Sequence, residues 1–387
     1  MPIDCAFANC SGLTSVTIGN SVTEIGAFAF SGCYRLVEVI NKSSLNIIKG
    51  SSDYGSVAYY ALNVKTSGES EIINQDGYLF YSYEDSDYLL GYSGPDTELI
   101  LPSNYKGKNY AIYKLAFYNC SRLTSVTIPD SVTSIGRSAF SYCTRLTSVT
   151  IGTGVTSIGD DAFYNCSRLT SVTIGNSVSS IGSYAFYNCG GLTSIIIPDN
   201  VTSIGGSAFS GCSGLTSVYY LGTIDQWAEI SFYVDSNPLY YAHNLYINGE
   251  LVTEVNLTTA TKISAYAFEN CSGLTSVTIG NSVTSIGSCA FYNCSGLTSV
   301  TITDSVTSSG YYAFIGCSGL KTVYYKGTIE QWNNISIASD NSYLTSATRY
   351  YYSERAPALN ADETDYDGNY WHYDADGKTP VIWKKEN

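Results

Sequence analysis

Histidine, methionine and charged residues are all scarce in this chain of 387 residues. Two histidines, His243 and His372, leave little scope for His-dependent catalysis or for zinc. Charged residues make up 13 % of the chain, against roughly a quarter in an ordinary soluble domain. The 19 Lys and Arg are outnumbered by 33 Asp and Glu, for a formal net charge of −14, which argues against a nucleic-acid binder. Long hydrophobic runs are missing too. Ile195 to Ile197 is among the longest, far short of the ~20 residues that span a membrane. No GxSxG, HExxH, P-loop or CxxC pattern occurs. Paired carboxylates, such as Asp160-Asp161 and Asp85 with Asp87, fall in turn-like sequence and not across a cleft. No enzyme, cofactor or metal site is therefore expected. No export signal is visible, because Met1 is followed at once by Pro2 and Asp4. Hydrophobic residues still reach 44 %, enough to bury a core.

What the chain does have is a repeat. Cys10 and Cys33 are 23 residues apart, as are Cys120, Cys143, Cys166, Cys189 and Cys212, and then Cys271, Cys294 and Cys317. Only Cys5 and Cys289 fall outside this series, each directly before an Ala-Phe pair. A period of this length marks a solenoid, whose units bury their apolar edges only by stacking. In the unit Leu169 to Gly191 the stretch Val172-Thr173-Ile174 alternates as a short strand does. Val178 and Ile181 carry a second extended segment, and Gly182 is expected to supply a turn with positive φ. Ala185, Phe186 and Cys189 have the spacing of a single helical turn. The predicted fold is thus a repeat solenoid of 23-residue units with a parallel β-ladder on one face, and ten to twelve coils.

The expected organisation is N-terminal repeats at 1–35, a Tyr/Ser/Asp-rich insertion at 36–95, and repeats at 96–214. A segment at 215–251 with the text GTIDQW follows, then repeats at 252–319. Residues 320–387 hold the parallel text GTIEQW and an aromatic C-terminal cap that closes the open strand edge. Cys5 to Cys10 reads as the second half of a unit without its strand half. The chain is therefore expected to lack upstream sequence, an export signal included.

The pattern LTSVTIPDSVTSIGRSAFSYC, repeated along most of the chain, resembles the BspA-like leucine-rich repeats of treponemal type. That resemblance implies a solenoid with a parallel strand ladder. It also implies a secreted or surface-displayed bacterial protein that binds host matrix proteins or other cells and does no catalysis. The alternatives are a passive spacer within a larger surface protein, or a carbohydrate-binding module. A monomer is expected.

Each recurring residue has a plain structural reading. The cysteines at the repeat position are read as a ladder of buried free thiols, because parallel Cβ vectors are poorly aimed for disulfides. The Asn-Cys-Ser triplets at Asn119, Asn165, Asn270 and Asn293 match a glycosylation sequon but are read as turns. Asp374-Ala375-Asp376-Gly377 begins like a calcium loop, lacks its later ligands, and is read as a hairpin turn. Outward strand positions form a Ser/Thr ladder: Ser125 and Thr127, Ser148 and Thr150, Ser171 and Thr173, Ser276 and Thr278, Ser299 and Thr301. It is broken by Ile196 and Tyr219 beside the first GTI segment, and by Tyr324 beside the second. Exposed apolar groups on neighbouring strands mark a partner site. The candidate site is therefore Ile196, Tyr219 and Tyr324, bordered by Asp225, Trp227, Glu229 and Trp332 from the GTI segments. The same positions would also suit side chains that the inserted segments simply cover.

Overall fold

The computed structural model describes residues 4–384. It divides into two compact units, Met1–Gly191 and Leu192–Asn387. Both are built from coils whose strands pair in parallel with the equivalent strand of the next coil.

In the first unit Ser125–Ile128, Ser148–Ile151 and Ser171–Thr173 pair in parallel, with Glu98–Ile100 alongside the first. The register equals the repeat: Ser125 opposes Ser148, which opposes Ser171. Val149 and Ile151 point into the core while Thr150 is exposed, so the period-2 alternation fixes which face is buried. A second parallel ladder runs through Tyr110–Ile112, Val132–Ile135, Ser157–Ile158 and Ser180–Ile181. Antiparallel strands Ile73–Gln75, Tyr78–Tyr83 and Ser86–Tyr92 extend this ladder at Tyr110–Ile112. Ser15–Ile18, Glu38–Asn41 and Asn63–Lys65 form a separate parallel ladder.

The second unit repeats the plan. Ser194–Ile197, Ser217–Tyr220 and Leu245–Ile247 are parallel, and Glu250–Leu251 closes that sheet antiparallel. A longer ladder runs from Glu254–Asn256 through Ser276–Thr278, Ser299–Ile302, Thr322–Tyr325, Thr348–Tyr352 and Tyr370–Tyr373. It ends on Pro380–Ile382, which is antiparallel to its neighbour. The turn between these last two strands is the Asp374 to Gly377 stretch. The Asp376 carboxylate there accepts hydrogen bonds from the Lys378 and Thr379 amides. Each unit is a solenoid, with about 16 turns in all among the described residues. The 23-residue period suggests fewer, because sequence at 36–95, 215–251 and 320–387 that has lost the motif still adds ladder strands.

The coil corner explains the motif. In one coil the Ala162, Tyr164 and Cys166 amides bond back three residues, to Gly159, Asp161 and Phe163. The alternate amides of Asp161, Phe163 and Asn165 reach the next coil at Ser183, Ala185 and Tyr187. The expected helical turn is thus a run of tight turns. Alternation is possible because two residues per corner are left-handed: Asp161 at φ +55° and Asn165 at +57°. The second position is held by Asn or Gly in most coils, the residues that tolerate this conformation best. The Asn side chains also bond to one another, Asn188 donating to Asn165 at 3.0 Å and Asn293 to Asn270 at 2.9 Å.

Gly182 serves a different purpose from the one its sequence suggests. It has no positive φ; a Cβ there would lie 2.5 Å from the Asp160 nitrogen of the preceding coil. Gly136, Gly159, Gly287 and Gly310 are equally crowded by neighbouring backbone. This glycine column sets how closely coils approach.

Inside the coils, Phe117, Phe140, Phe163 and Phe186 stack at centroid spacings of 4.9, 5.3 and 5.2 Å. Phe268, Phe291 and Phe314 repeat the stack in the second unit. Each fully buried Val, Leu, Ile or Phe contributes about 1.5–3 kcal/mol. All twelve cysteines are free thiols. Within the ladder the sulfhydryl donates to the Phe carbonyl of the preceding coil, as Cys143 does to Phe117 and Cys166 to Phe140, both at 3.2 Å. Cys10 departs from the expectation of burial: it is exposed, in the first described coil, and Cys120 is half-buried.

Candidate binding surface

The outward face is mostly polar where the repeat is regular, with Ile100, opposite Thr127, an exposed exception at 76 %. Thr127, Thr150 and Thr173 are exposed. Thr301 is the departure, only 4 % exposed and paired across the sheet with Tyr324.

The chain bordering Ile196 and Tyr219 is ordered by a capped helix. In GTIDQW, Thr223 caps Ile224–Glu229, accepting from the Gln226 amide, while the Gln226 side chain accepts from the Thr223 amide. This reciprocal capping box is what the Thr and Gln of the motif are for. GTIEQW does the same, with Thr328 and Gln331 at the start of Ile329–Asn333. The motif glycine follows from close approach: a Cβ at Gly222 would lie 2.7 Å from the Tyr220 ring.

The two tryptophans lie inside. Trp227 is 0 % exposed, packs against Tyr220 and Phe232, and donates its indole N–H to the Ala267 carbonyl at 2.8 Å. Trp332 is buried edge-on to Tyr325, with the Arg349 guanidinium 3.7 Å from its ring centroid. Neither ring can border a partner, which corrects the sequence expectation. Their burial anchors each helix to the solenoid, the usual fate of a large aromatic with a satisfied donor.

Asp225 and Glu229 are committed to the neighbouring coil. Asp225 Oδ1 accepts from the amides of Thr258, Thr259 and Ala260 at 2.8, 2.9 and 2.8 Å. Burial opposes ionisation of this carboxyl, yet the three amides outweigh it and hold the group below its ordinary range. Glu229 accepts from the Thr261 amide and hydroxyl, which hold it low as well. These carboxylates stitch helix to coil.

Ile196 and Tyr219 are the outward pair. They oppose each other in register and are 42 % and 36 % exposed. The structure adds two residues that sequence reasoning missed. Tyr219 opposes Tyr246, their rings stacked at 4.8 Å, and Tyr246 opposes the exposed Leu251. Ile196, Tyr219, Tyr246 and Leu251 thus form one apolar row across four strands. Tyr246 and Leu251 lie where the 23-residue motif is lost, so no periodic signal marked them. The alternation of Leu245, Tyr246 and Ile247 would have been the available clue.

Tyr324 stands apart from this row. It is half-buried beneath aromatics of the last strands, 5.4 Å from the Trp371 ring and 6.1 Å from Tyr350. The first break in the Ser/Thr ladder is open and the second is covered.

A model of the BspA type leucine rich repeat region matches six copies, over residues 3–83, 110–237 and 243–348. The chain belongs to the BspA-type leucine-rich repeat family. Solved structures similar to this BspA-type chain include a leucine-rich repeat protein from Bacteroides ovatus, 24 % identical, with a TM-score of 0.49. That match covers 90 % of this chain and 86 % of the other. The leucine rich repeat protein of T. pallidum is 23 % identical over 65 % of this chain and 91 % of its own, with a TM-score of 0.39. A leucine rich cell surface protein from Faecalibacterium prausnitzii is 25 % identical over 70 % of this chain and 99 % of its own, with a TM-score of 0.34. No curated protein matches. Among the described residues of this BspA-type chain, no group of His, Cys, Asp or Glu is arranged to hold a metal ion, and no helix is long and apolar enough to cross a membrane.

Proposed function

We propose that this BspA-type chain is a non-catalytic binding protein acting outside the cell, in adhesion or another protein–protein contact. Its partner surface is the outward face at Ile196, Tyr219, Tyr246 and Leu251. The observation that carries the reading is an open apolar row across four paired strands, at positions that successive regular coils fill with Thr. A uniform hydroxyl ladder gives a partner nothing to tell one coil from the next. Apolar anchors of larger area supply both energy and register. Stacking on Tyr246 fixes the Tyr219 ring before a partner arrives, which lowers the entropy lost on binding. Extracellular display is the habit of the family and carries over to this chain as part of the proposal.

The experiment is a binding screen against purified host matrix proteins and bacterial surface proteins, followed by Ile196→Thr with Tyr219→Thr. Thr is the residue that regular coils place here, so the double variant keeps the strand chemistry. Binding of the partner found should weaken at least tenfold, about 1.4 kcal/mol, with the unfolding midpoint held. Loss of stability with equal binding would leave the row a structural feature and favour the spacer reading.

A further inference from the structure

We propose that the first unit carries a second, anionic-ligand surface: a row of three arginines that binds a linear sulfated polysaccharide. Arg122, Arg145 and Arg168 occupy the same place in three successive coils, two residues after the ladder cysteine. All three are exposed. The backbone on both sides of them is tied coil to coil. Thr147 donates to the Thr124 carbonyl and Thr170 to Thr147, each at 2.9 Å. On the other side, Tyr142 donates to Tyr164 and Asn165 to Tyr187, at 2.7 and 2.8 Å. The arginines therefore rise in register, one per coil, at about the 4.8 Å strand spacing.

The fold does not ask for these residues. The same position is Gly191, Gly214, Gly273, Gly296 and Gly319 in other coils, and these pack the same leucine that follows. Arg35 shares the position but is turned inward, its Nη2 lying against Gly91. Nor does the protein neutralise the row. Among the described residues, the ion pairs are Lys65 with Glu38 and Glu71, and Arg137 with Asp161. None of the three row arginines takes part. Three like charges aligned on a chain of net charge −14, which has carboxylates to spare, form a surface complementary to a flexible polyanion.

The neighbours of the row favour a sulfated glycan over nucleic acid. Exposed hydroxyls of Ser121, Thr144 and Ser167 stand directly before the arginines and suit sugar hydroxyls. Guanidinium forks pair with sulfate oxygens in bidentate fashion.

The test uses the full chain and three probes: a size-defined heparin octasaccharide, its desulfated counterpart, and a single-stranded DNA 20-mer. Calorimetry or fluorescence anisotropy should show the sulfated octasaccharide binding, more weakly as salt rises, and the desulfated one not binding. The triple variant R122Q/R145Q/R168Q should lose at least tenfold in affinity and show a shallower salt dependence, with an unchanged circular dichroism spectrum. The control K42Q/K106Q/K108Q removes the same charge from exposed lysines elsewhere in the first unit and should bind as the native chain does. Equal losses in both variants would overturn the proposal, since net charge alone would then govern binding. Binding of the desulfated probe at equal strength, or of the DNA more tightly than the octasaccharide, would overturn it as well.

Discussion

Phe163→Ala is the sharpest probe of the packing. The ring is fully buried, and parallel neighbours sit 5.3 Å away at Phe140 and 5.2 Å away at Phe186. Truncating a buried Phe costs about 3–5 kcal/mol, the spread depending on how far the site collapses. Here collapse is opposed on both sides by coils held together by backbone hydrogen bonds, such as Phe163 N–H to Ala185 and Phe140 N–H to Ala162. The upper half of that range is expected. Thr150→Ala, on the outward side of the same coil, should stay within about 0.5 kcal/mol. Because solenoid stability is a sum of local terms, the loss should concentrate in coils next to 163 and fade within a few repeats. The first unit contains no tryptophan, so hydrogen exchange with peptide-level mass spectrometry is the assay. At about 1.4 kcal/mol per tenfold, protection around residue 163 should fall by roughly three to three and a half orders of magnitude. Thr150→Ala should change it by a factor of about two. Equal effects of the two substitutions would mean that the strand faces are assigned the wrong way round.

Two further outcomes test the interior. Cys143, Cys166, Cys294 and Cys317 should resist thiol reagents until denaturant is added. Burial pushes the Cys166 thiol up to about 12, and each of the four sulfhydryls is bonded to a carbonyl. Cys5 and Cys10 should label at once, as exposed thiols do; protection of this pair in the native chain would contradict the burial pattern. Glu269, buried in the second unit with an unpartnered Oε1, is pushed up to about 8 by burial first and by Asp235 second. Its native state therefore holds a proton that the unfolded state releases near pH 4.5. Stability from this group is full below that pH and is lost as pH rises towards 8. Glu269→Gln should flatten that decline in unfolding experiments followed by tryptophan fluorescence, and an unaltered pH profile would refute the assignment.

Much of this was legible because a repeat amplifies weak signals. A single Val-Thr-Ile says little, but the same alternation at 125, 148 and 171 fixes strand, face and register together. The corner was less legible. Its left-handed residues before Ala-Phe include Ser138, Tyr184, Cys289 and Tyr312, none of which advertises a positive φ. The conformation is imposed by the coil-to-coil bonds those amides make, so tertiary context overrides local preference there. Gly182 misled in the opposite sense: conformational freedom is the usual reason for a lone glycine, and the operative reason was the neighbouring coil's backbone.

The candidate surface follows the same division. Ile196, Tyr219 and Tyr324 were visible as exceptions to a rule, and a rule exists only where the motif persists. Whether an exception is open or covered depends on chain outside the motif, and that chain differs between the two breaks. After Tyr219 the chain makes the short strands Leu245–Ile247 and Glu250–Leu251, which add Tyr246 and Leu251 to the outward row and leave it open. After Tyr324 it brings Tyr350 and Trp371 onto the same face, and Trp371 anchors itself through its indole N–H to the Tyr325 carbonyl at 3.1 Å. The same GTI element with the same capping box thus stands beside two opposite outcomes. The duplicated text locates both breaks, and only the packing of unduplicated sequence decides which of them can meet a partner.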